Sequence, residues 1–223
     1  MLAAQKSKWF EILFALYNRN LFARRFHDLR VAGLENLLNR DRQIPLVLYA
    51  NHSSWWDGLL AFEIGRKAAL DHFLMMEERQ LKKLFLFRRL GAFSVIRENG
   101  REAVKSVRYA IELLKEKQNR AVWIFPQGEI LPNDTRPLKF YNGLARILEQ
   151  TGSCFAVPVA MRYEFLDNFN PAAFARIGKL ELFDGKVERK LRGNHFAETL
   201  TATLNELKTD ILDGNFHEYK KIA

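Results

Sequence analysis

The sequence predicts an α/β fold, a largely parallel, mixed sheet flanked by helices, with an amphipathic helix ahead of it at the N-terminus. Short apolar runs alternate with segments of helical periodicity, which is the pattern of strands joined by crossover helices. Two of the runs, residues 45–50 (PLVLYA) and 121–125 (AVWIF), carry no charge, as expected for strands covered on both faces. No Pro- or Gly-rich linker divides the chain. We therefore expect one domain over residues 29–223, preceded by a helix within residues 1–28.

The individual elements follow from periodicity and from the residues that stop them. In the segment 100–118, Val104, Val107 and Ile111 recur on one face, which predicts a helix. Pro126 ends the strand at 121–125, and Gly152 ends a helix at 141–151. The same reasoning predicts the remaining elements, which are strands at 72–76, 92–96, 154–163 and 177–183 and helices at 54–69, 79–90 and 194–212.

Residues 8–26 form the predicted N-terminal helix. Their apolar residues recur at helical spacing from Trp9 to Phe22, with basic residues such as Lys8 and Arg25 at the ends. Bulky aromatic side chains beside cationic ends are typical of a helix that lies in a membrane interface. We therefore expect an interfacial helix here, and a terminal helix packed on the core is the alternative.

Charge gives the first indication of a partner. The net charge is +9 and the pI is about 9.7, and the excess is concentrated in residues 1–30, at +4, and 79–108, at +7. Such surfaces fit nucleic acid, an anionic membrane or a phosphorylated substrate, and the aromatic residues among the basic ones favour lipid. Neither a secretory signal nor a membrane-spanning run is present in the sequence. We therefore expect peripheral binding at the cytoplasmic face of the cell membrane.

Two predicted strands end in unusual polar residues, and sites form where the strands of an α/β sheet end. Asn51, His52 and Asp57 follow the first strand, and the segment 125–129 (FPQGE) follows the second. His52 and Asp57 are five residues apart, which on one continuous helix would separate them by roughly 140°. They can meet if His52 lies on the turn before the helix, with Ser53 or Ser54 as its N-cap. A carboxylate that orients an imidazole makes a general base.

The same spacing occurs a second time, between His72 and Glu77. That pair lies within an apolar strand without a turn signal, so we interpret it as structural. The single cysteine, Cys154, excludes a disulfide framework and a cysteine-based zinc site.

The two strand-end segments, in this order, resemble the glycerolipid acyltransferases of the 1-acylglycerol-3-phosphate acyltransferase family. Four blocks between residues 45 and 165 are similar to family motifs. They are Asn51-His52-x4-Asp57 (NHxxxxD), the block 91–97 (GAFSVIR), Phe125-Pro126-Gln127-Gly128 (FPEG in the family) and Val157-Pro158-Val159 (VPV). The run 137–143 (PLKFYNG) also resembles the Lys-x-Gly run that follows FPEG. Residues 29–223 would then be a single α/β acyltransferase domain.

The resemblance implies transfer of a fatty acyl group from a thioester, acyl-CoA or acyl-carrier protein, to a hydroxyl of a membrane lipid. It implies no metal and no bound cofactor. His52 would be the base that deprotonates the hydroxyl, Asp57 would orient it, and Arg97 would hold an anionic part of the acceptor. The hydroxyl would attack the thioester directly, without an acyl-enzyme. Trp55 and Trp56 fit either core packing or the wall of an acyl-chain tunnel.

The chain departs from the family pattern after the second strand. Gln127 stands where the family usually has Glu, and Glu129 and Ile130 stand where it has Thr and Arg. That Arg normally helps to bind the acceptor phosphate, whereas Glu129 would repel it. The basic residues that could compensate for the missing Arg are Arg97, Arg136 and Lys139.

The candidate substrate-binding residues are Arg97, Gln127, Gly128, Glu129 and Lys139. A phosphate-bearing glycerolipid and a neutral hydroxylated lipid, such as a glycolipid or a carotenoid glycoside, both stay open as the acceptor.

Two other classes of function compete with this one. In an acyl thioesterase, His52 would activate water instead of an alcohol. A non-enzymatic basic protein that binds nucleic acid has only the net charge in its support, since no helix-turn-helix, zinc-finger or RNP signature is present. We expect no nucleic-acid partner.

Overall fold

The computed structural model describes residues 1–184 and 194–222, so the domain end expected at residue 223 lies outside the described residues. The helices are α1 (Lys8–Arg25), α2 (Leu34–Leu38), α3 (Asp57–Lys67), α4 (Glu78–Lys83), a 3-10 helix (Phe85–Leu90), α5 (Gly100–Glu116), α6 (Gly143–Thr151) and α7 (Asn194–Leu212). The strands are β1 (Asp28–Ala32), β2 (Leu46–Ala50), β3 (Asp71–Glu77), β4 (Ala92–Val95), β5 (Arg120–Ile124), β6 (Ser153–Glu164), β7 (Ala172–Ile177), β8 (Glu181–Asp184) and β9 (Lys220–Lys221).

The strands form one mixed sheet in the order β4-β3-β5-β2-β6-β7-β1-β9, and β8 pairs with β6 at one end. The pairs from β4 to β6 are parallel, and so is the pair of β1 and β7. The pairs β6/β7, β6/β8 and β1/β9 are antiparallel. This arrangement confirms the predicted largely parallel, mixed sheet flanked by helices.

Two central segments, residues 46–50 of β2 and 121–124 of β5, are free of charge because both of their faces are covered. Along β2, Leu46 and Leu48 pack into one apolar layer, whereas Val47 and Tyr49 pack into the layer on the opposite side of the sheet. All five residues of β2 are buried. A charged side chain at any of these positions would lose its hydration without gaining a partner, so the sequence has none there.

Two predicted elements are wrong. The helix expected at 79–90 is divided in two, because the backbone of Leu84 (φ −108°, ψ 45°) leaves the helical region and ends α4. The strand expected at 177–183 is interrupted by a turn at residues 178–180, between the end of β7 at Ile177 and the start of β8 at Glu181. At that turn, Gly178 donates its backbone N–H to Pro158 O, and the Asn36 amide donates to the carbonyls of Ile177 and Gly178.

Helix α1 packs on the domain along one face only. Its Phe22 is buried, and Asn18 donates to Glu63 Oε1 at 2.8 Å. The opposite face leaves five large apolar side chains exposed, which are Trp9, Ile12, Leu13, Leu16 and Tyr17. Of the helices within residues 1–184 and 194–222, none combines the length and apolar character needed to cross a membrane.

His72 is a structural residue, as the sequence suggested. It lies near the start of β3, 4% exposed, and its Nδ1 is 3.3 Å from the carbonyl oxygen of Leu70. Its ring packs against Gly65, where a Cβ atom would come within 2.4 Å of Nδ1. Glu77, at the other end of β3, pairs instead with Arg97. The two residues of the second His-x4-acid spacing therefore do not meet.

We predict that His72 makes the fold sensitive to acid. Burial lowers the pKa of His72 to about 3, against about 6.5 in an unfolded chain. Below pH 6.5 the unfolded state binds a proton that the folded state does not, so stability falls by about 1.4 kcal/mol per pH unit between pH 6 and pH 4. Urea unfolding at several pH values should show this slope, and it should be shallower in His72→Phe. Equal slopes would contradict the neutral buried state.

Candidate active site

A cavity of about 650 Å³ opens at the carboxyl ends of β2, β3, β4 and β5. Parallel strands of an α/β sheet commonly form sites at this edge. The wall is largely apolar, with residues such as Leu74, Met76, Val104, Val107 and Ile124. His52 is part of the lining. The space is therefore suited to an apolar chain that ends beside an imidazole.

His52 and Asp57 meet as the sequence predicted. His52 Nδ1 lies 2.8 Å from Asp57 Oδ2, and the Asp57 side chain has no exposure to solvent. The helix start differs from the expectation, since neither serine is the N-cap of α3. Instead, the backbone N–H groups of Ser53 and Ser54 donate to the same carboxylate oxygen at 2.7 and 2.8 Å. The carboxylate closes the turn that places His52 outside the helix.

Tyr163 provides the remaining hydrogen bond to the Asp57 carboxylate, and no sequence motif had pointed to it. Its hydroxyl donates to Asp57 Oδ1 at 2.7 Å from strand β6. Burial, followed by the nearby charge of Asp57, raises the pKa of Tyr163 well above its ordinary value. The phenol therefore keeps its proton and remains a donor. With Nδ1 engaged by Asp57, Nε2 is the ring nitrogen that remains available to a substrate.

Asn51 fixes the backbone just before His52. The ladder between β2 and β6 runs as far as Ala50 and Val159. Beyond it, the Asn51 side chain accepts from Met161 N at 2.7 Å and donates to Met161 O at 2.9 Å. An amide can supply both a donor and an acceptor, so it continues the pairing after the backbone has turned away.

Residues 125–131 hold His52 from the opposite side. The ring of Phe125 stacks on the imidazole with centroids 4.5 Å apart. Gln127 is buried, and its Oε1 accepts from His52 N at 2.9 Å, while Leu131 N donates to His52 O. Gln127 does not line the cavity. The geometry therefore gives Gln127 a positioning role in place of the predicted substrate contact.

Arg97 lines the cavity, as predicted, but it has a carboxylate partner. Its Nε donates to Glu77 Oε2 at 3.0 Å, and its guanidinium lies over the Tyr141 ring. A Cβ atom on Gly128, whose φ is +74°, would come within 2.5 Å of Arg97 Nη1. Gly128 therefore makes room for Arg97 and Tyr141, and it also lines the cavity, where its predicted contact with substrate stays a prediction.

The remaining candidates divide between the cavity and the outer surface. Glu129 and the adjacent Ile130 line the cavity and are exposed. Lys139 is exposed but does not line it, so the structure does not support a substrate contact there. Arg146, at the start of α6, does line the cavity and was missed, because a lone arginine within a helix carries no motif.

The two tryptophans have separate places. Trp55 lines the cavity and is 54% exposed, whereas Trp56 packs against Phe22 and Phe26. Trp56 is therefore a packing residue, whereas the role of Trp55 in the wall of an acyl-chain tunnel stays a prediction.

Cys154 is not a candidate nucleophile, and the described residues hold no candidate metal site. Cys154 is buried, and burial raises the pKa of its thiol to about 12, which makes it a poor nucleophile. Across residues 1–184 and 194–222, no cluster of His, Cys, Asp or Glu is arranged to hold a metal ion. The oriented His52 imidazole is the candidate that lies beside the apolar cavity.

Comparisons with known proteins bear on the family and the fold of the chain. The family model described as acyltransferase matches residues 28–162. The crystal structure of the 1-acyl-sn-glycerophosphate acyltransferase PlsC from Thermotoga maritima aligns with a TM-score of 0.63 and 24% sequence identity. The alignment covers 90% of this chain and 79% of that one, and it supports a common fold. Among curated proteins, no sequence matches closely enough to count as a relative.

We predict that Asp57→Asn disturbs both the turn and the imidazole. In the wild-type protein the carboxylate requires His52 to carry its proton on Nδ1. An Asn side chain has one oxygen, so it cannot accept from the serine amides, His52 and Tyr163 together. The ¹⁵N chemical shifts of the His52 ring should show the Nδ1–H tautomer in wild type and its loss in the variant. An unchanged tautomer in Asp57→Asn would contradict the proposed orientation of the ring.

Proposed function

The chain belongs to the acyltransferase family, and on that premise we propose that it moves a fatty acyl group from a thioester donor to a hydroxyl of a membrane lipid. The observation that carries this proposal is the His52–Asp57 pair, 2.8 Å apart, at an apolar cavity of about 650 Å³. The donor is an acyl-CoA or an acyl-carrier protein. Family membership also favours an enzyme over a non-enzymatic basic binding protein.

The chemistry needs one base and no covalent intermediate. His52 Nε2 accepts the proton of the lipid hydroxyl while the oxygen attacks the thioester carbonyl. Asp57 stabilises the imidazolium that forms. The new C–O bond replaces the C–S bond, and the proton passes from His52 to the departing thiolate. The apolar wall of the cavity holds the acyl chain and limits the access of water, which would otherwise compete as the acceptor.

The charges around the cavity favour an acceptor without a phosphate monoester. The basic side chains in its lining are those of Arg97 and Arg146, and the acidic ones are those of Glu77 and Glu129. Arg97 already donates to Glu77, and Glu129 would repel a phosphate dianion. The phosphate-bearing glycerolipid acceptor, which the family resemblance implies, is the second candidate.

The test is a transfer assay with one labelled acyl-CoA and a panel of lipid acceptors, with products identified by mass. We expect an acylated lipid, and His52→Gln should lower the rate by roughly 10²–10⁴-fold because the general base is lost. The matched control is His217→Gln, an exposed histidine at the other end of the chain, which should keep the wild-type rate. Near-native transfer by His52→Gln would contradict the mechanism. Free fatty acid without an ester product would instead indicate a thioesterase.

We predict that Ile130→Arg shifts the enzyme toward a phosphate-bearing acceptor. Ile130 lines the cavity at the position where the family has its phosphate-binding Arg. A new charge-assisted contact of about 1.5–3 kcal/mol would raise use of lysophosphatidic acid over monoacylglycerol by roughly tenfold or more. The measurement is the ratio of the two kcat/KM values, and Ile130→Gln is the uncharged control. An unchanged ratio in Ile130→Arg would mean that the acceptor headgroup binds elsewhere.

We propose that the enzyme binds the membrane through α1 and the adjoining basic segment. Phe14 of α1 packs against Phe87 of the 3-10 helix at 5.7 Å, which brings the two surfaces together. The exposed apolar face of α1 lies beside Arg89, whose guanidinium is 5.8 Å from the Trp9 ring. Aromatic and aliphatic groups next to basic ones suit an anionic bilayer surface. This placement supports peripheral binding to a membrane, and the cytoplasmic face of the cell membrane stays the predicted location.

We predict that the triple variant Trp9→Gln, Ile12→Gln, Leu16→Gln loses liposome binding while its fold is retained. These side chains are more than half exposed, and each is worth about 1.5–3 kcal/mol when fully buried. The partition coefficient for anionic liposomes, measured by co-sedimentation, should fall on the order of a hundredfold. The control is Phe169→Gln with Leu212→Gln, two exposed apolar residues outside α1. Equal losses in both variants would contradict a membrane surface on α1.

A further inference from the structure

A small second chamber lies next to the main cavity and shares part of its wall. Four residues line both spaces, which are Gly58, Leu59, Leu74 and Phe87. The chamber has a volume of about 40 Å³, which is enough for one water molecule or a group of similar size. Gly58 contributes no side chain to the shared wall, and a Cβ atom there would have only Leu74 Cδ2 within 4 Å. The two spaces are therefore adjacent, and Gly58 adds no side chain to the wall that they share.

Two polar residues line this chamber, and each has a buried nitrogen without a partner. His72 Nε2 and Trp123 Nε1 have no hydrogen-bond partner among the described residues. His72 is 4% exposed and Trp123 is fully buried. The other lining residues that belong to the chamber alone are apolar, namely Phe14, Ala61, Phe62, Leu90 and Ala92. Unpaired buried polar atoms are costly and rare, so two of them in one chamber require an explanation.

The sheet register places these two side chains on the same face. Strands β3 and β5 pair in parallel, with His72 opposite Ala121 and Leu74 opposite Trp123. Residues two apart on a strand point to the same side. His72 and Trp123 are thus diagonal neighbours on adjacent strands, and both side chains line the chamber from the same face of the sheet.

The hydrogen-bonding character of the two nitrogens is complementary. His72 Nδ1 faces the Leu70 carbonyl oxygen at 3.3 Å, which assigns the ring proton to Nδ1 and leaves Nε2 as an acceptor. Burial lowers the pKa of His72 to about 3, so the ring stays neutral. The Trp123 indole is a donor only. One acceptor and one donor are the partners that a hydroxyl group needs.

We propose that the chamber is a hydroxyl-binding subsite of the acyl cavity, in which one O–H group donates to His72 Nε2 and accepts from Trp123 Nε1. The inference rests on the proposed acyl transfer. Two different molecules would supply this hydroxyl group with the same hydrogen-bonding chemistry. It is either a substituent on the acyl chain, which would make the enzyme selective for hydroxylated donors, or a water molecule enclosed behind the chain.

The first experiment compares acyl donors in the transfer assay. Hexadecanoyl-CoA is compared with a series in which one hydroxyl is moved along the same chain. If the source is the chain, kcat/KM for one position should exceed that of hexadecanoyl-CoA on the order of tenfold, since two hydrogen bonds are gained. Trp123→Phe and His72→Phe should each bring that ratio close to one. Leu90→Ile, which alters the chamber without touching a polar atom, should keep the ratio.

The second experiment does not depend on turnover. The indole N–H resonance of Trp123 is identified in ¹⁵N-labelled protein by its loss in Trp123→Phe. Titration with the hydroxyhexadecanoic acids, and with hexadecanoic acid as the control, should shift this resonance for one hydroxylated acid only. A crystal structure of the protein alone shows whether a water bridges the two nitrogens.

The outcomes distinguish a hydroxyl on the acyl chain from an enclosed water molecule. They also test the proposed subsite separately from the proposed function. A hydroxyl preference with a shifted indole resonance assigns the subsite to the acyl chain, and a bridging water without a preference assigns it to water. A chamber without water, together with equal use of all donors and an unmoved resonance, overturns the proposal. If no donor is used at all, the proposed function fails, while the resonance and the crystal structure still decide on the subsite.

Discussion

The Asp57 carboxylate accepts four hydrogen bonds in a position with no exposure to solvent, and the neighbouring elements are arranged around that requirement. A buried charge without partners would cost several kcal/mol. The chain therefore turns back at Ser53 and Ser54 to bring two amides to it, and this turn keeps His52 outside α3. The orientation of the His52 imidazole is thus a consequence of satisfying the carboxylate.

The same requirement connects parts of the chain that are far apart in sequence. Tyr163 is 106 residues from Asp57, and it reaches the carboxylate because β6 runs parallel to β2 and continues beyond it. Asn51 maintains that alignment by hydrogen bonding to Met161 where the backbone ladder stops. A shift of one residue in the β2–β6 register would turn Tyr163 to the other face of the sheet. The pairing of two charge-free strand segments thereby sets the geometry of the base.

Local features could be predicted from the sequence, and features that depend on pairing could not. The strands β2 and β5 were recognised because burial on both faces excludes charge, and His52 and Asp57 because they are neighbours in sequence. Strand β1 was missed because it carries Asp28 and Arg30, whose mutual ion pair hides its buried character. The positioning role of Gln127 depends on where a turn directs one side chain, and residue type alone does not specify that.

Helix α1 connects the proposed membrane surface with the proposed acyl site through its two faces. The residues at helical spacing from Phe14 through Asn18 to Phe22 face the protein, whereas Trp9, Leu13 and Leu16 face outward. Phe14 contacts Phe62 and Phe87 at 5.1 and 5.7 Å, and Phe87 lines both the cavity and the chamber. Because packed side chains in a core respond even to small changes in volume, the inner face of α1 constrains the shape of the acyl site. The outer face is free of that constraint, so packing does not explain its apolar side chains, and the proposed membrane contact does.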